Sequence, residues 1–161
     1  MINKLTENVY QLCFNQFGST VYLLQLNNKN ILIDTSIREA KQELLQDLEN
    51  LKIKPEQINI IIITHHHWDH DANINLFSKA IIYDYNNISK LNIKNMKIYK
   101  VPGHTKDSIA ILYKEFLFSG DTLFHEGIGR TDFPESQPEK MQESLNFLRN
   151  LPYKILCPGH V

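Results

Sequence analysis

The sequence predicts an α+β fold, with layers of β-sheet flanked by a few helices. Three observations predict it. The chain opens on short strand-like runs joined by turns. It switches to a three- and four-residue apolar period at Ile37. A continuous apolar run, Ile58–Thr64, then follows.

Val9–Phe14 and Thr20–Leu26 read as strands separated by Asn15-Gln-Phe-Gly-Ser19. Asn27-Asn-Lys-Asn30 reads as a tight turn into a third strand, Ile31–Asp34, an antiparallel start. Ile37, Ala40, Leu44, Leu48 and Leu51 recur at helical spacing, and Ser36 with Glu39 has the pattern of a capping box. Ile58–Thr64 is rich in β-branched residues and suits a strand buried on both faces. A short helix is expected over Asp71–Lys79. Strands are expected over Ala80–Asp84, Lys97–Val101, Ile109–Tyr113 and Phe116–Ser119. Ser136 and Glu139 suggest a second capping box, with Pro138 in the first turn and Met141, Leu145, Leu148 and Leu151 continuing at helical spacing. Lys154–Cys157 closes the pattern as a short strand.

The chain has 161 residues, 42% hydrophobic and 22% charged, which points to one globular domain over residues 1–161 and excludes disorder. No apolar run approaches the roughly 20 residues needed to cross a bilayer. The first residues, Met1 to Cys13, lack the apolar core of a secretory leader. Formal net charge is −1, so a basic nucleic-acid footprint is absent. Cys13 and Cys157 form no Cys-x-x-Cys pair and read as reduced thiols. The expectation is a cytoplasmic protein with a small-molecule substrate and neither a nucleic acid nor a membrane as partner.

The chemistry concentrates in the histidines. There are seven, and four of them fall in Thr64-His-His-His-Trp-Asp-His70, directly after the most apolar strand. Side chains alternate along an extended chain, so His65 and His67 share a side, and a turn at Trp68 brings Asp69 and His70 round to them. Three further candidates stand at the ends of expected strands, each after a glycine that permits a sharp turn: His104, Asp121 and His160. Imidazole and carboxylate donors suit zinc or iron.

These motifs, in this order, resemble the metallo-β-lactamase superfamily, from the first strand pair to His160. Thr64–His70 and Gly120-Asp-Thr-Leu-Phe124 resemble the hydroxyacylglutathione hydrolases (glyoxalase II). Gly127-Ile-Gly-Arg-Thr-Asp-Phe133 resembles both short hydrolases of that kind and the persulfide dioxygenases. The resemblance implies a four-layer αββα sandwich. It implies one metal on His65, His67, His104 and Asp121, and a second on Asp69, His70, Asp121 and His160, with Asp121 bridging. It implies a thioester hydrolase that uses a metal-bound hydroxide, carries one or two Zn2+ per chain, and has Asp69 orienting the nucleophile. A mononuclear Fe2+ persulfide dioxygenase, held by His65, His104 and Asp121, is the first alternative. A non-catalytic metal-binding module is the second. Glyoxalase II enzymes of the long type append a helical domain, and the superfamily normally continues past Pro-Gly-His. Here the chain ends at Val161, so the second metal is expected to bind more weakly.

Arg130 is a candidate to orient an anionic substrate group, or else pairs with Asp132 within its own loop. His66 is expected to face away from its neighbours, His125 to lie on the surface, and Trp68 to pack under the ligand loop.

Overall fold

The computed structural model describes all 161 residues, Met1–Val161. They divide into two compact units, Met1–Tyr83 and Asp84–Val161.

The first unit is built on a six-stranded sheet in sequential order. β1 (Ile2–Thr6), β2 (Val9–Leu12), β3 (Val21–Leu26) and β4 (Lys29–Ile33) run antiparallel, as the turn residues predict. Asn27 and Asn28 both take positive φ in the turn between β3 and β4, the conformation that asparagine tolerates best. α1 (Lys41–Asn50) then crosses over, which allows β5 (Ile58–Ile62) to pair parallel with β4, and β6 (Ile81–Tyr83) pairs parallel with β5. β5 therefore has a partner on each side, and its isoleucines are buried throughout. Leu44 and Leu48, one turn apart on α1, are fully buried in the same core as Leu23, Leu32 and Ile61. Truncating either to alanine is expected to cost about 2–5 kcal/mol.

The second unit carries a four-stranded sheet in the order β12-β9-β8-β7. β7 (Met96–Lys100), β8 (Ile109–Tyr113) and β9 (Phe116–Gly120) are antiparallel neighbours, and β12 (Ile155–Pro158) joins β9 in parallel. β10 (Leu123–Phe124) and β11 (Gly127–Ile128) form a separate hairpin. The connection from β11 to β12 contains α3 (Pro138–Arg149). Its stripe of Met141, Leu145 and Leu148 packs with Val101, just after β7, and with Ala110 and Leu117 of the sheet. Pro138 opens α3, where its missing N–H is not needed.

Four expectations need correction. Asp71–Lys79 is not a helix: one turn, α2 (Trp68–Asp71), is followed by a separate 3-10 turn at Ile74–Leu76. Neither serine capping box forms. Ser36 sits at φ 59°, outside the helix, and the helical segment begins only after Ile37. Ser136 lies before the N-cap Gln137, and its hydroxyl donates instead to the His104 carbonyl at 2.6 Å. The third strand stops at Ile33, because Asp34 turns to φ 61°. β1 was not expected at all. Its register shifts between Lys4 and Thr6, which spoils the two-residue alternation that signals a strand.

Candidate metal centre

In the first unit the ligand motif follows β5 directly. The chain bends at Thr64 and His65 and is extended again at His67 (φ −96°, ψ 147°), and this path brings His65 Nε2 and His67 Nδ1 to 3.1 Å from each other. Two nitrogens bound to one tetrahedral zinc at about 2.05 Å stand about 3.3 Å apart, so this spacing is close to that of a ligand pair. The single turn of α2 then swings Asp69 and His70 inward. The His65 and His70 ring centroids are 4.1 Å apart. His65 and His70 are buried at 1% and 0% exposure, the burial that an uncharged imidazole ligand tolerates.

Asp34 organises this half. One carboxylate oxygen accepts from the Thr64 backbone N–H and the other from the Thr64 hydroxyl, each at 2.8 Å. The second oxygen also lies 2.8 Å from His70 Nδ1. With Nδ1 engaged by a carboxylate, Nε2 is the nitrogen that His70 presents to a metal. The loop after Asp34 grips the same turn, since the Thr35 N–H and hydroxyl both donate to the His70 carbonyl. The Asn73 amide in turn donates to the Thr35 and Ile37 carbonyls. Sequence reasoning missed Asp34. Its only signal was an acidic residue ending a strand that pairs with the strand before the histidines.

His66 points away as expected, with Nδ1 2.9 Å from Asp71 Oδ2. Trp68 does not pack under the loop. It is 63% exposed, because Asp69 and His70 take the inward positions of the turn and leave it the outer one.

In the second unit three loops contribute one residue each. His104 follows β7, Asp121 follows β9 and His160 follows β12. Gly120 takes φ 51° to turn the chain into Asp121. Asp121 Oδ2 lies 3.7 Å from His104 Nε2 and 3.4 Å from His160 Nε2, one carboxylate shared by two imidazoles. The His104 ring is set by a backbone group: Nδ1 is 2.7 Å from the Arg130 carbonyl and donates to it, which presents Nε2 to a metal. Gly129 makes this approach possible. A Cβ there would fall 1.8 Å from the Asp121 carbonyl oxygen and 2.8 Å from His104 Nδ1. The Arg130 side chain pairs bidentately with Asp132, at 2.9 and 2.8 Å, and lies over the Phe133 ring. The Arg130 guanidinium holds the Asp132 carboxyl below its usual range. His125 is exposed on the hairpin.

The donors in each half are imidazole nitrogens and carboxylate oxygens. In each half a histidine has its Nδ1 occupied by an oxygen acceptor, the arrangement that prepares Nε2 for a divalent metal such as zinc or iron. The residues present therefore fit the metal that their motifs imply.

The family model of the metallo-β-lactamase superfamily matches residues 15–85 and 96–160. The chain belongs to that superfamily. It is 32% identical over 160 aligned residues to a hydroxyacylglutathione hydrolase of Pectobacterium atrosepticum, an alignment covering 86% of this chain. The chain spans 61% of that relative's length, and 50% of a probable metallo-hydrolase of Methanocaldococcus jannaschii that it also matches. Among solved structures, a metallo-β-lactamase family protein from Thermus thermophilus superposes with a TM-score of 0.84 at 17% identity, covering 98% of this chain and 75% of that one. A second, TTHA1623 in a di-iron-bound form, gives a TM-score of 0.78 at 22% identity and covers 94% of this chain and 91% of that one. The α+β fold of these superfamily members is thus the fold of this chain.

Proposed function

We propose that the chain is a metal-dependent hydrolase of thioesters resembling the hydroxyacylglutathione hydrolases, and that its two units work as one domain over residues 1–161. In this reading the two half-sets of ligands serve one centre. His65, His67, His104 and Asp121 hold one metal, and Asp69, His70, Asp121 and His160 hold the other. The observation that carries the reading is the built orientation of His70 by Asp34 and of His104 by the Arg130 carbonyl. A surface histidine needs no such partner, whereas a ligand does. A divalent metal bound there supplies Lewis acidity toward an acyl oxygen and brings the pKa of water toward neutrality. Asp69 orients the attacking water, and Arg130 steadies an anionic group of the substrate from its Asp132-braced loop. The leaving thiolate needs little protonation, since thiols have a pKa of about 8.5. Zinc is the proposed metal, one or two per chain. Iron is the alternative, supported by the donor set and by the di-iron form of TTHA1623. The proposed setting is the cytoplasm, with a small-molecule acyl substrate; no helix is long and apolar enough to cross a membrane.

The test is metal analysis of protein purified without added metal, followed by thiol release from S-D-lactoylglutathione and other thioesters. Bound zinc with metal-dependent thiol release is expected. One iron per chain with oxygen uptake on a persulfide overturns the hydrolase in favour of a dioxygenase. Full metal loading with no turnover of any thioester leaves a metal-binding module.

A further inference from the structure

The second unit carries a cavity that the ligand set does not use. It has a volume of about 430 Å3 and is bounded by Phe124 and His125 of the β10–β11 hairpin, Arg149 at the end of α3, and Tyr153, Lys154 and Leu156 leading into and along β12. Its charge has one sign. Arg149 and Lys154 are permanent cations, His125 adds an imidazole, and no Asp or Glu bounds the cavity. Neither Arg149 nor Lys154 takes part in an ion pair. Arg149 stands in the last turn of α3, where a cation offsets the helix dipole. That accounts for one of the two cations and not for Lys154, nor for the exclusion of carboxylates.

The cavity is linked to the ligand set in two ways. Phe124, which bounds it, also meets His160, with ring centroids 6.3 Å apart and the rings edge to face. β12 supplies the second link. Lys154 immediately precedes the strand and His160 follows it, a separation of up to about 20 Å at about 3.3 Å per residue.

We propose that this cavity binds the phosphate-bearing tail of a long thiol carrier whose thioester reacts at the metal centre. The inference rests on the thioester-hydrolase reading and narrows its substrate class. Arg149 offers a planar fork suited to phosphate oxygens and Lys154 a mobile point charge, the usual division of labour at a phosphate. The charge selects the carrier. Two unpaired cations with no carboxylate beside them suit the several negative charges of phosphate esters better than glutathione, which carries an ammonium as well as its carboxylates. A long flexible arm lets such phosphates lie in the cavity, past Phe124, while the thioester stays beside His160.

The test uses the metal-loaded full chain, and compares wild type with the Arg149→Gln/Lys154→Gln variant on three thioesters of one acyl group. These are the coenzyme A thioester, the glutathione thioester and the truncated N-acetylcysteamine thioester. Both side chains are exposed, so the variant is expected to fold, checked by its thermal transition. The ratio of kcat/KM for the coenzyme A thioester to that for the truncated thioester is expected to fall about tenfold, through KM, and to fall with added salt in the wild type. A ratio within twofold of wild type overturns the proposal. An equal fall for the glutathione thioester overturns the phosphate tail in favour of a short carboxylate. Desulfo-coenzyme A, which has no thiol for the metal, provides a binding measurement independent of turnover. If the wild type hydrolyses no thioester, the hydrolase reading fails by itself. Binding of desulfo-coenzyme A that weakens about tenfold in the variant then still supports the phosphate site, and absence of binding to the wild type overturns it.

Discussion

The two halves of the proposed centre are built on opposite plans. In Met1–Tyr83 the ligands are nearly contiguous, His65 to His70, and a buried side chain, Asp34, holds them. In Asp84–Val161 the ligands come from three separate loops, and the group that sets the His104 ring is a backbone carbonyl. The first half is therefore sensitive to the identity of one distant side chain. The second is sensitive to the path of the chain. Substitutions that separate these dependences test the comparison directly.

The largest effect is expected at Asp121. Its Oδ2 stands between two imidazoles, so Asp121→Asn keeps the shape of the group but removes the charge on which both depend. Loss of a partner behind a ligand typically costs about 10–100-fold in metal affinity or activity, and loss of the shared ligand itself should cost more. Activity is expected to fall at least about a hundredfold with the fold retained. Wild-type metal content and turnover in this variant would remove Asp121 from the centre.

Gly129→Ala comes next. The alanine Cβ collides with the Asp121 carbonyl, a backbone atom, so the loop must move and the His104–Arg130 hydrogen bond moves with it. The expected cost is about 1–3 kcal/mol of stability, with loss of metal. Asp34→Asn is the counterpart in the first half. The amide has one acceptor oxygen for three donors, so at least one buried donor faces an NH2 group. About 1–3 kcal/mol of stability and about 10–100-fold in metal affinity should be lost, read by denaturant titration and by metal competition. Arg130→Gln sharpens the contrast. It removes an exposed side chain and leaves the carbonyl in place, so metal content should match wild type and stability should change by under about 0.5 kcal/mol. If Arg130→Gln loses metal as Asp34→Asn does, the distinction between side-chain and backbone support is wrong.

The same contrast explains what could be read from the sequence. His65 to His70 were legible because their donors are contiguous and one turn at Trp68 brings Asp69 and His70 round to them; the bend at Thr64 and His65 was not foreseen. His104, Asp121 and His160 were legible only through their order and the glycine before each. Asp34 was not, since its contacts reach Thr64 and His70 across 30 and 36 residues and leave no local periodicity. The pairing of the Arg130 guanidinium with Asp132 was legible as one of two alternatives, whereas the contact of Arg130 with His104 was not, because it runs through an oxygen that every residue possesses. Trp68 was misread because large aromatics are usually buried, and a four-residue turn with two inward ligands has no inward place left for it.

The smallest expected effect uses the two cysteines, one in each unit. Cys13 follows β2 and is partly buried; burial raises its thiol pKa and a hydrogen bond with Thr20 opposes the rise. Cys157 is buried in β12, three residues before His160, and burial pushes its thiol up to about 12. Only the thiolate is alkylated, so at pH 8 Cys13 should react first and Cys157 only when β12 opens. The sign for stability follows from the same shift. A thiol with a raised folded pKa contributes fully below its unfolded pKa, and that contribution is lost as pH rises from about 9 to about 12. Alkaline destabilisation should therefore be smaller in Cys157→Ala. If His160 is a metal ligand, metal holds the end of β12 and slows its opening, so added zinc should slow alkylation of Cys157 more than that of Cys13. Equal slowing at both cysteines would mean that metal steadies the protein as a whole rather than through His160, and no slowing at Cys157 would remove His160 from the ligand set.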